Sequence, residues 1–128
     1  MPRIELVNIT NKTKGKLPSL PFVSMKDKIL GVKYDLSISF LPASEQKKIN
    51  KKYRGKDKTT NVLSFSLSPN SGEITFDPAQ AKRDAPLFDM TYPKFLKYLF
   101  IHGCLHLKGF QHSSTMEKEE KKYLKIFH

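Results

Sequence analysis

The sequence predicts an α+β domain in which helices pack on a small β-sheet. Residues 34–41 alternate apolar and polar side chains, as a strand with one buried face does. Residues 93–108 are apolar on almost every side, which is typical of a helix at the centre of a domain. Shorter amphipathic segments, separated by Pro and Gly, surround these two. Because 128 residues is the size of one domain, we expect residues 1–128 to form a single unit.

Two strands and two helices are predicted in the first half of the chain. They are a strand at Arg3–Ile9, a helix at Phe22–Leu30, a strand at Tyr34–Leu41 and a helix from Ala43 to about Lys52. Gly31 stops the first helix and Pro42 ends the second strand. The second helix is polar and rich in Lys, with Ile49 as its expected apolar anchor.

Two further strands and three helices are predicted in the second half. They are strands at Asn61–Leu67 and Glu73–Phe76 around a turn at Pro69–Gly72, and helices from Pro78 to about Lys82, over Pro93–Lys108, and from Ser114 onward. Asp77 is the expected N-cap of the first of these helices, and Gly109 ends the second. The segment Ser114–Glu117 has the pattern of a capping box. The last helix is expected to dock through four residues, Tyr123, Leu124, Ile126 and Phe127.

Charge is the first indication of function. The chain has 23 Lys and Arg against 12 Asp and Glu, a net charge of +11. A domain this basic is typical of partners that are polyanions, either nucleic acid or an anionic membrane surface. No apolar run is long enough to cross a bilayer, and the N-terminus lacks the apolar core of a secretory signal. The single cysteine, Cys104, excludes an internal disulfide framework and fits a reducing cytoplasm.

Three of the four histidines, His102, His106 and His112, lie within eleven residues. On a helix, His102 and His106 project within about 40° of each other, one turn apart, which lets two imidazoles hold one metal ion. A left-handed Gly109 at the helix end can reverse the chain and bring His112 to the same ion. The same ligand spacing occurs in metzincin zinc proteases. The alternative is a chance cluster of core histidines, which this spacing makes the weaker interpretation.

The residues around the histidines favour an open metal site over a closed structural one. Cys104 lies about 200° around the helix from His102, so we expect it to face the core and not the metal. His128 is expected to be a frayed end. Three ligands without a fourth are typical of catalytic Zn²⁺. Gly103 stands where zinc proteases have their general-base Glu, so a peptidase mechanism lacks its usual base.

A second cluster is strongly basic. Seven cations against Asp57 supply +6 of the +11: Lys47, Lys48, Lys51, Lys52, Arg54, Lys56 and Lys58. We expect the lysines to form a solvated surface that adds affinity for phosphates and makes binding depend on salt. Arg54 is expected in a turn before the next strand, where its guanidinium can bind a phosphate through two hydrogen bonds and stabilise developing negative charge.

Three motifs in the same order resemble the YbeY family. They are Tyr53-Arg54-Gly55-Lys56-Asp57-Lys58-Thr59-Thr60-Asn61-Val62-Leu63-Ser64-Phe65, then Gly72-Glu73-Ile74, then the run His102–His112. The resemblance covers Tyr34 to the C-terminus. It implies a metal-dependent endoribonuclease that acts on single-stranded RNA.

The resemblance implies further features of the site and the fold. It places one zinc ion on His102, His106 and His112, and makes Arg54 the catalytically important arginine of the cleft. It implies maturation of small-subunit ribosomal RNA, ribosome quality control and a cytoplasmic location. The implied fold is a four-stranded, mainly parallel sheet with the metal-bearing helix packed on it.

Three positions depart from the family pattern: Thr59 replaces Pro, Glu73 replaces Asp, and Gln111 replaces the Asp before the third histidine. The first two changes are mild. Because an amide cannot take up a proton, Gln111 excludes a proton-transfer role at its position.

Two alternatives to an endoribonuclease stay open at this point. The histidine spacing alone is also that of a metallopeptidase, although Gly103 and the positive charge argue against one. The second alternative is a non-catalytic module that binds RNA or the ribosome and holds a structural zinc, which would make folding depend on the metal.

Overall fold

A computed structural model describes residues 6–55 and 60–127 of the chain. Its strands are β1 (Val7–Asn11), β2 (Asp35–Phe40), β3 (Val62–Ser68) and β4 (Ser71–Phe76). Its α-helices are α1 (Phe22–Leu30), α2 (Ala43–Arg54), α3 (Pro78–Asp84), α4 (Tyr92–Lys108) and α5 (Ser114–Ile126). One turn of 3₁₀ helix, Ala85–Phe88, joins α3 to the segment before α4.

The four strands form one mixed sheet in the order β1-β2-β4-β3. β1 pairs with β2 and β2 with β4 in parallel, while β3 pairs with β4 in antiparallel fashion through a tight turn at Pro69–Asn70. This arrangement confirms the predicted α+β fold with a small, mainly parallel, four-stranded sheet. β3 is consequently an edge strand, with its outer side free of a strand partner among the described residues.

The predicted central helix is confirmed. α4 is buried along its length, and its largest fully buried side chains are Phe95, Leu96, Phe100 and Ile101. It packs on the face of the sheet that carries Leu36, Ile38, Phe40, Ile74 and Phe76, all of them 0% exposed. α1 covers the same core, with the Phe22 ring edge-on to Phe100 at 5.0 Å between centroids. None of the helices in the described ranges has the length and hydropathy of a membrane span.

The ends of α1 and α4 lie where the sequence predicts them. α1 ends at Leu30 before Gly31, whose φ is 103°, and α4 ends at Lys108 before Gly109, whose φ is 110°. Only glycine adopts these angles without a steric penalty from Cβ. At the other end of α4, the Thr91 side chain accepts a hydrogen bond from the backbone N–H of Lys94.

The structure corrects the predicted boundaries in the first half of the chain. The strand predicted at Arg3–Ile9 instead runs to Asn11, because its parallel pairing with β2 continues to the pair Asn11 and Phe40; residues 3–5 lie outside the described residues. α2 runs to Arg54, so Arg54 ends a helix and does not lie in the predicted turn. Ile49 is only half-buried. α2 packs instead through buried Gln46 and Asn50.

Three predictions for the later helices also differ from the structure in detail. The N-cap of α5 is Ser113, whose side chain accepts from the Met116 N–H, so the predicted capping box at Ser114 is one residue out of register. Of the four residues predicted to dock α5, Tyr123 is buried and Leu124 and Phe127 pack partly buried against the core, but Ile126 is 49% exposed. Met116 and Glu120 are buried on this helix as well. α3 begins as predicted, with the Asp77 carboxylate accepting from the Gln80 N–H, but it extends to Asp84.

Candidate metal centre and active-site cleft

Two metal-ligand candidates lie on one face of α4. His102 and His106 are one turn apart, and their ring centroids are 4.5 Å apart with the rings nearly perpendicular. Their Nε2 atoms face each other at 3.1 Å. Two nitrogens bound to one tetrahedral zinc lie about 3.3 Å apart, so this spacing suits a shared ion.

His112 comes close to His102 and His106 because the chain reverses its direction after α4. With Gly109 in the left-handed region, the N–H groups of Gly109 and Phe110 donate to carbonyls of the last helical turn. The His112 ring centroid then lies 4.8 Å from that of His106 and 5.1 Å from that of His102. One ligand nitrogen from each of the three histidines lies within 4.8 Å of the others, an arrangement that can hold a metal ion.

Hydrogen bonds determine which nitrogens are available to a ligand. His102 Nδ1 is 2.9 Å from Glu120 Oε2, and His106 Nδ1 is 3.0 Å from the Phe110 carbonyl oxygen. A carboxylate and a carbonyl only accept, so both Nδ1 atoms carry the proton when the rings are neutral. Both Nε2 atoms then present lone pairs to each other, and a shared cation satisfies them. The donor set therefore fits a metal of the zinc class.

Glu120 is the site residue that sequence reasoning missed. It lies on α5, is 6% exposed, and its carboxylate fixes the ring and tautomer of His102. No local motif relates it to the histidines. The only signal was an acidic residue on an apolar helix face, four residues after Met116 and three before Tyr123.

The site lowers the pKa of His106 from its ordinary value. Burial is the main cause, since it disfavours the charged ring, and the electrostatic influence of neighbouring His102 adds to it. Smaller contributions come from His112 and Arg54, while the hydrogen bond to the Phe110 carbonyl acts in the opposite direction. The ring is therefore held in the neutral form that binds a metal.

Arg54 lies beside the three histidines, although it comes from a different element. It is the last residue of α2, where Gly55 with φ 69° ends the helix. A cavity of about 240 Å³ is lined by Arg54, Val62, Ser64, His102, Gly103, His106 and His112. The structure thus brings together all four predicted site residues, and their catalytic and ligand roles stay predictions.

Gly103 has a packing reason to be glycine. A Cβ at this position would lie 3.0 Å from Ile74 Cδ1 on the neighbouring strand β4. A side chain there would require the Ile74 side chain to shift by a few tenths of an ångström. The position that carries the general base in zinc-peptidase helices therefore holds no base in this chain, and the close approach of Ile74 favours glycine there.

The remaining candidates lie outside the cluster. Cys104 is fully buried, and burial raises the pKa of its thiol, so it is a core residue as predicted. Gln111 is exposed beside the site. Four lysines of the basic segment are exposed on α2: Lys47, Lys48, Lys51 and Lys52. The predictions for Lys56, Asp57, Lys58, Thr59 and His128 fall outside the described residues.

Known proteins are similar to this chain in sequence and in fold. A family model described as Endoribonuclease YbeY matches residues 9–127. The Endoribonuclease YbeY of Bdellovibrio bacteriovorus is 40% identical over 83 residues, which are 63% of this chain and 55% of that protein. That of Mycoplasmopsis synoviae is 33% identical over 99 residues, 70% of this chain and 64% of the relative. That of Halalkalibacterium halodurans is 35% identical over 105 residues, which are 70% of this chain and 65% of that protein.

The match thus spans less than two thirds of the length of these three relatives. A relative from Francisella philomiragia is matched more fully, with 27% identity over 94% of this chain and 86% of that protein. The solution structure of a Thermotoga maritima protein superposes with a TM-score of 0.66 and 28% identity, over 93% of this chain and 87% of the other. Since the family model matches nearly the whole chain, the protein belongs to the YbeY family.

Proposed function

We propose that the protein is a metal-dependent endoribonuclease that cleaves single-stranded RNA. The observation that carries the proposal is the cavity in which three imidazoles converge next to an arginine. His102 and His106 present unprotonated Nε2 atoms, His112 completes a three-nitrogen set, and Arg54 supplies a permanent positive charge. Endoribonuclease is also the name of the matched family and of its relatives.

The residues of the chain divide the work between holding a metal and binding a phosphate. A zinc ion, one per chain, would supply Lewis acidity toward a phosphoryl oxygen. Glu120 and the Phe110 carbonyl orient His102 and His106 toward it. Arg54 binds the phosphate that is to be cleaved, and its guanidinium stabilises the negative charge that develops there. RNA itself provides a 2′-hydroxyl as an internal nucleophile, so the chain needs no side chain in that role.

We further propose that the RNA is ribosomal. The net charge of +11 suits a ribonucleoprotein partner, and the family resemblance points to maturation of small-subunit ribosomal RNA and to ribosome quality control. On this proposal the protein acts in the cytoplasm and contacts the small ribosomal subunit.

The geometry favours this function over a metallopeptidase. The helix position that holds the general base in zinc peptidases is Gly103, which has no side chain, and a Cβ there would lie 3.0 Å from Ile74 Cδ1. Cleavage of peptides by the purified protein, abolished by a chelator, would reverse this preference.

The experiment is cleavage of a labelled single-stranded RNA by purified protein, together with elemental analysis. We expect about one zinc per chain, lost in His102→Ala. We also expect RNA cleavage to be lost in His106→Ala. In Arg54→Ala we expect it to fall by about 100-fold or more, because the guanidinium that stabilises negative charge on the scissile phosphate is lost. Leu87→Ala, at an exposed position on the 3₁₀ turn, is the matched control. Cleavage that survives both active-site substitutions would come from a contaminating nuclease and would refute the proposal.

A further inference from the structure

A second cavity lies next to the histidine cavity, around the edge of the sheet. It has a volume of about 570 Å³ and lies between α2 and the strands β3 and β4. Tyr53, Phe65 and Leu67 supply its apolar surface, and Lys52, Arg54 and Glu73 its charges. We call it the Tyr53 groove.

The groove exposes aromatic surface that the core does not need. Tyr53 is 60% exposed and Leu67 is 64% exposed, although both are large hydrophobic residues. The Tyr53 ring lies 4.8 Å from the Phe65 ring, which supports it from one side, and Lys52 Nζ lies 5.3 Å from its centroid. A supported, exposed ring with cations beside it is how proteins stack a nucleobase of single-stranded nucleic acid.

The Tyr53 groove and the histidine cavity adjoin each other. Arg54 and Ser64 line both of them. Consecutive strand residues point to opposite faces, so Ser64 points toward the face of α4 and Phe65 toward the face of α2. Because β3 is the edge strand, a single RNA strand can pass from one face to the other around it, with Arg54 at the crossing.

Glu73 determines which part of a nucleotide enters the groove. It is the cross-strand partner of Phe65 and so lies on the same face of the sheet. A carboxylate repels phosphate, which leaves the phosphate to the two cations of the groove, Lys52 and Arg54. The carboxylate accepts hydrogen bonds from the amino and imino groups of a base.

We propose that the Tyr53 groove binds the nucleobase of a nucleotide next to the scissile phosphate, stacked on Tyr53 with its edge toward Glu73. This inference rests on the proposed function, since it takes RNA as the substrate. It makes Tyr53 a substrate-binding residue, and it explains why the exposed ring lies directly before Arg54 at the end of α2.

The test uses a short single-stranded RNA with a 2′-O-methyl backbone that carries 2-aminopurine, whose fluorescence is quenched by stacking. We expect quenching at one position by the unmodified protein and by Tyr53→Phe, which keeps the ring. Tyr53→Ala is expected to abolish quenching and to weaken binding on the order of tenfold to a hundredfold. Leu87→Ala, which removes another exposed hydrophobic side chain, is expected to leave both unchanged. Quenching and affinity that persist in Tyr53→Ala would overturn the groove assignment.

A second measurement leaves the protein unaltered. An abasic nucleotide at the quenched position should weaken binding as much as Tyr53→Ala does, and the two changes together should cost no more than either alone. Protein that stacks the base but cleaves no RNA refutes the nuclease and keeps the groove. Protein that cleaves RNA but responds to neither change refutes the groove and keeps the nuclease. Protein that binds no RNA refutes both.

Discussion

The two helical histidines each use one ring nitrogen for a hydrogen bond and keep the other for the cavity. For His106 the partner is a backbone carbonyl that lies only four residues away and is fixed by the Gly109 turn. For His102 the partner is Glu120, eighteen residues along the chain. The orientations of the two candidate ligands therefore depend on different parts of the fold, and only the hydrogen bond to His102 can be altered by substituting a side chain.

Glu120→Gln tests the contribution of that partner. The amide keeps the shape of the side chain but gives up the negative charge, which makes His102 Nε2 a weaker ligand. We expect zinc affinity to fall by about 10- to 100-fold while the protein stays folded, measured by competition with a chelator of known affinity. Glu119→Gln is the matched control, since Glu119 pairs with exposed Lys122 at 3.3 Å instead. Equal affinity in both variants would contradict the assigned role.

The lowered pKa of His106 predicts how the stability of the metal-free protein depends on pH. The unfolded chain takes up a proton at this residue near pH 6.5, whereas the folded protein resists it to a lower pH. Stability from this residue is therefore complete above about pH 6.5 and is lost as the pH falls through the folded pKa. We expect the free energy of unfolding in urea to fall more steeply between about pH 7 and pH 5 for the unaltered protein than for His106→Gln. Parallel curves would contradict the prediction.

Sequence alone could identify the histidines but not their surroundings. His102, His106 and His112 are related by helix periodicity and a glycine stop, which are local rules. Glu120 joins them only because α5 docks on α4 through Met116, and the angle of docking is a tertiary property.

At the scale of elements, α4 lies close to β4 because one of its positions has no side chain. A Cβ at Gly103 would be 3.0 Å from Ile74 Cδ1 and 3.4 Å from Ile74 Cγ1. Gly103→Ala gains about 1 kcal/mol of helix propensity, but overpacking a core costs about 1–3 kcal/mol. The steric cost is expected to exceed the gain, since Ile74 is 0% exposed and packs within the core, where side chains are closely packed.

We therefore predict that Gly103→Ala destabilises the protein by about 1 kcal/mol in urea unfolding, and that the sign reverses in an Ile74→Val background. Valine lacks the Cδ1 atom that would be contacted, so only the gain in helix propensity is left. The double-mutant cycle separates this contact from the cost of about 0.5–1.5 kcal/mol that Ile74→Val carries by itself. An additive cycle would show that the helix has room at this position.

The ends of helices are predictable from sequence where a residue at the boundary itself stops or starts the helix. α1 and α4 end before glycines with positive φ, and α3 begins at an Asp-Pro pair. β1 was misplaced because polar Thr10 and Asn11 are strand residues only through their pairing with β2. α2 was predicted too short because its buried contacts come from polar residues; Gln46 Nε2 donates to the carbonyl oxygens of Thr60 and Thr75.

At the scale of the whole molecule, the hydrophobic core and the candidate metal centre are built from different residues. The buried side chains of α1, α4 and the sheet form one continuous cluster that does not include the three histidines. The histidines line a cavity together with Arg54, and the lysines of α2 are exposed on the surface. A chain arranged in this way has no need of a metal to bury its apolar surface.

Removal of the metal is therefore expected to leave a folded protein that has lost its activity. Chelator-treated protein should keep its far-UV circular dichroism and melt in one cooperative transition, because the hydrophobic cluster is unaltered. Added zinc should raise the melting temperature by mass action, with about 2.7 kcal/mol of stabilisation at a free concentration 100 times the Kd. His102→Ala should melt like the chelated protein and show no response to zinc. If the chelated protein instead shows no cooperative transition, the metal is structural, and the non-catalytic RNA-binding module becomes the better interpretation.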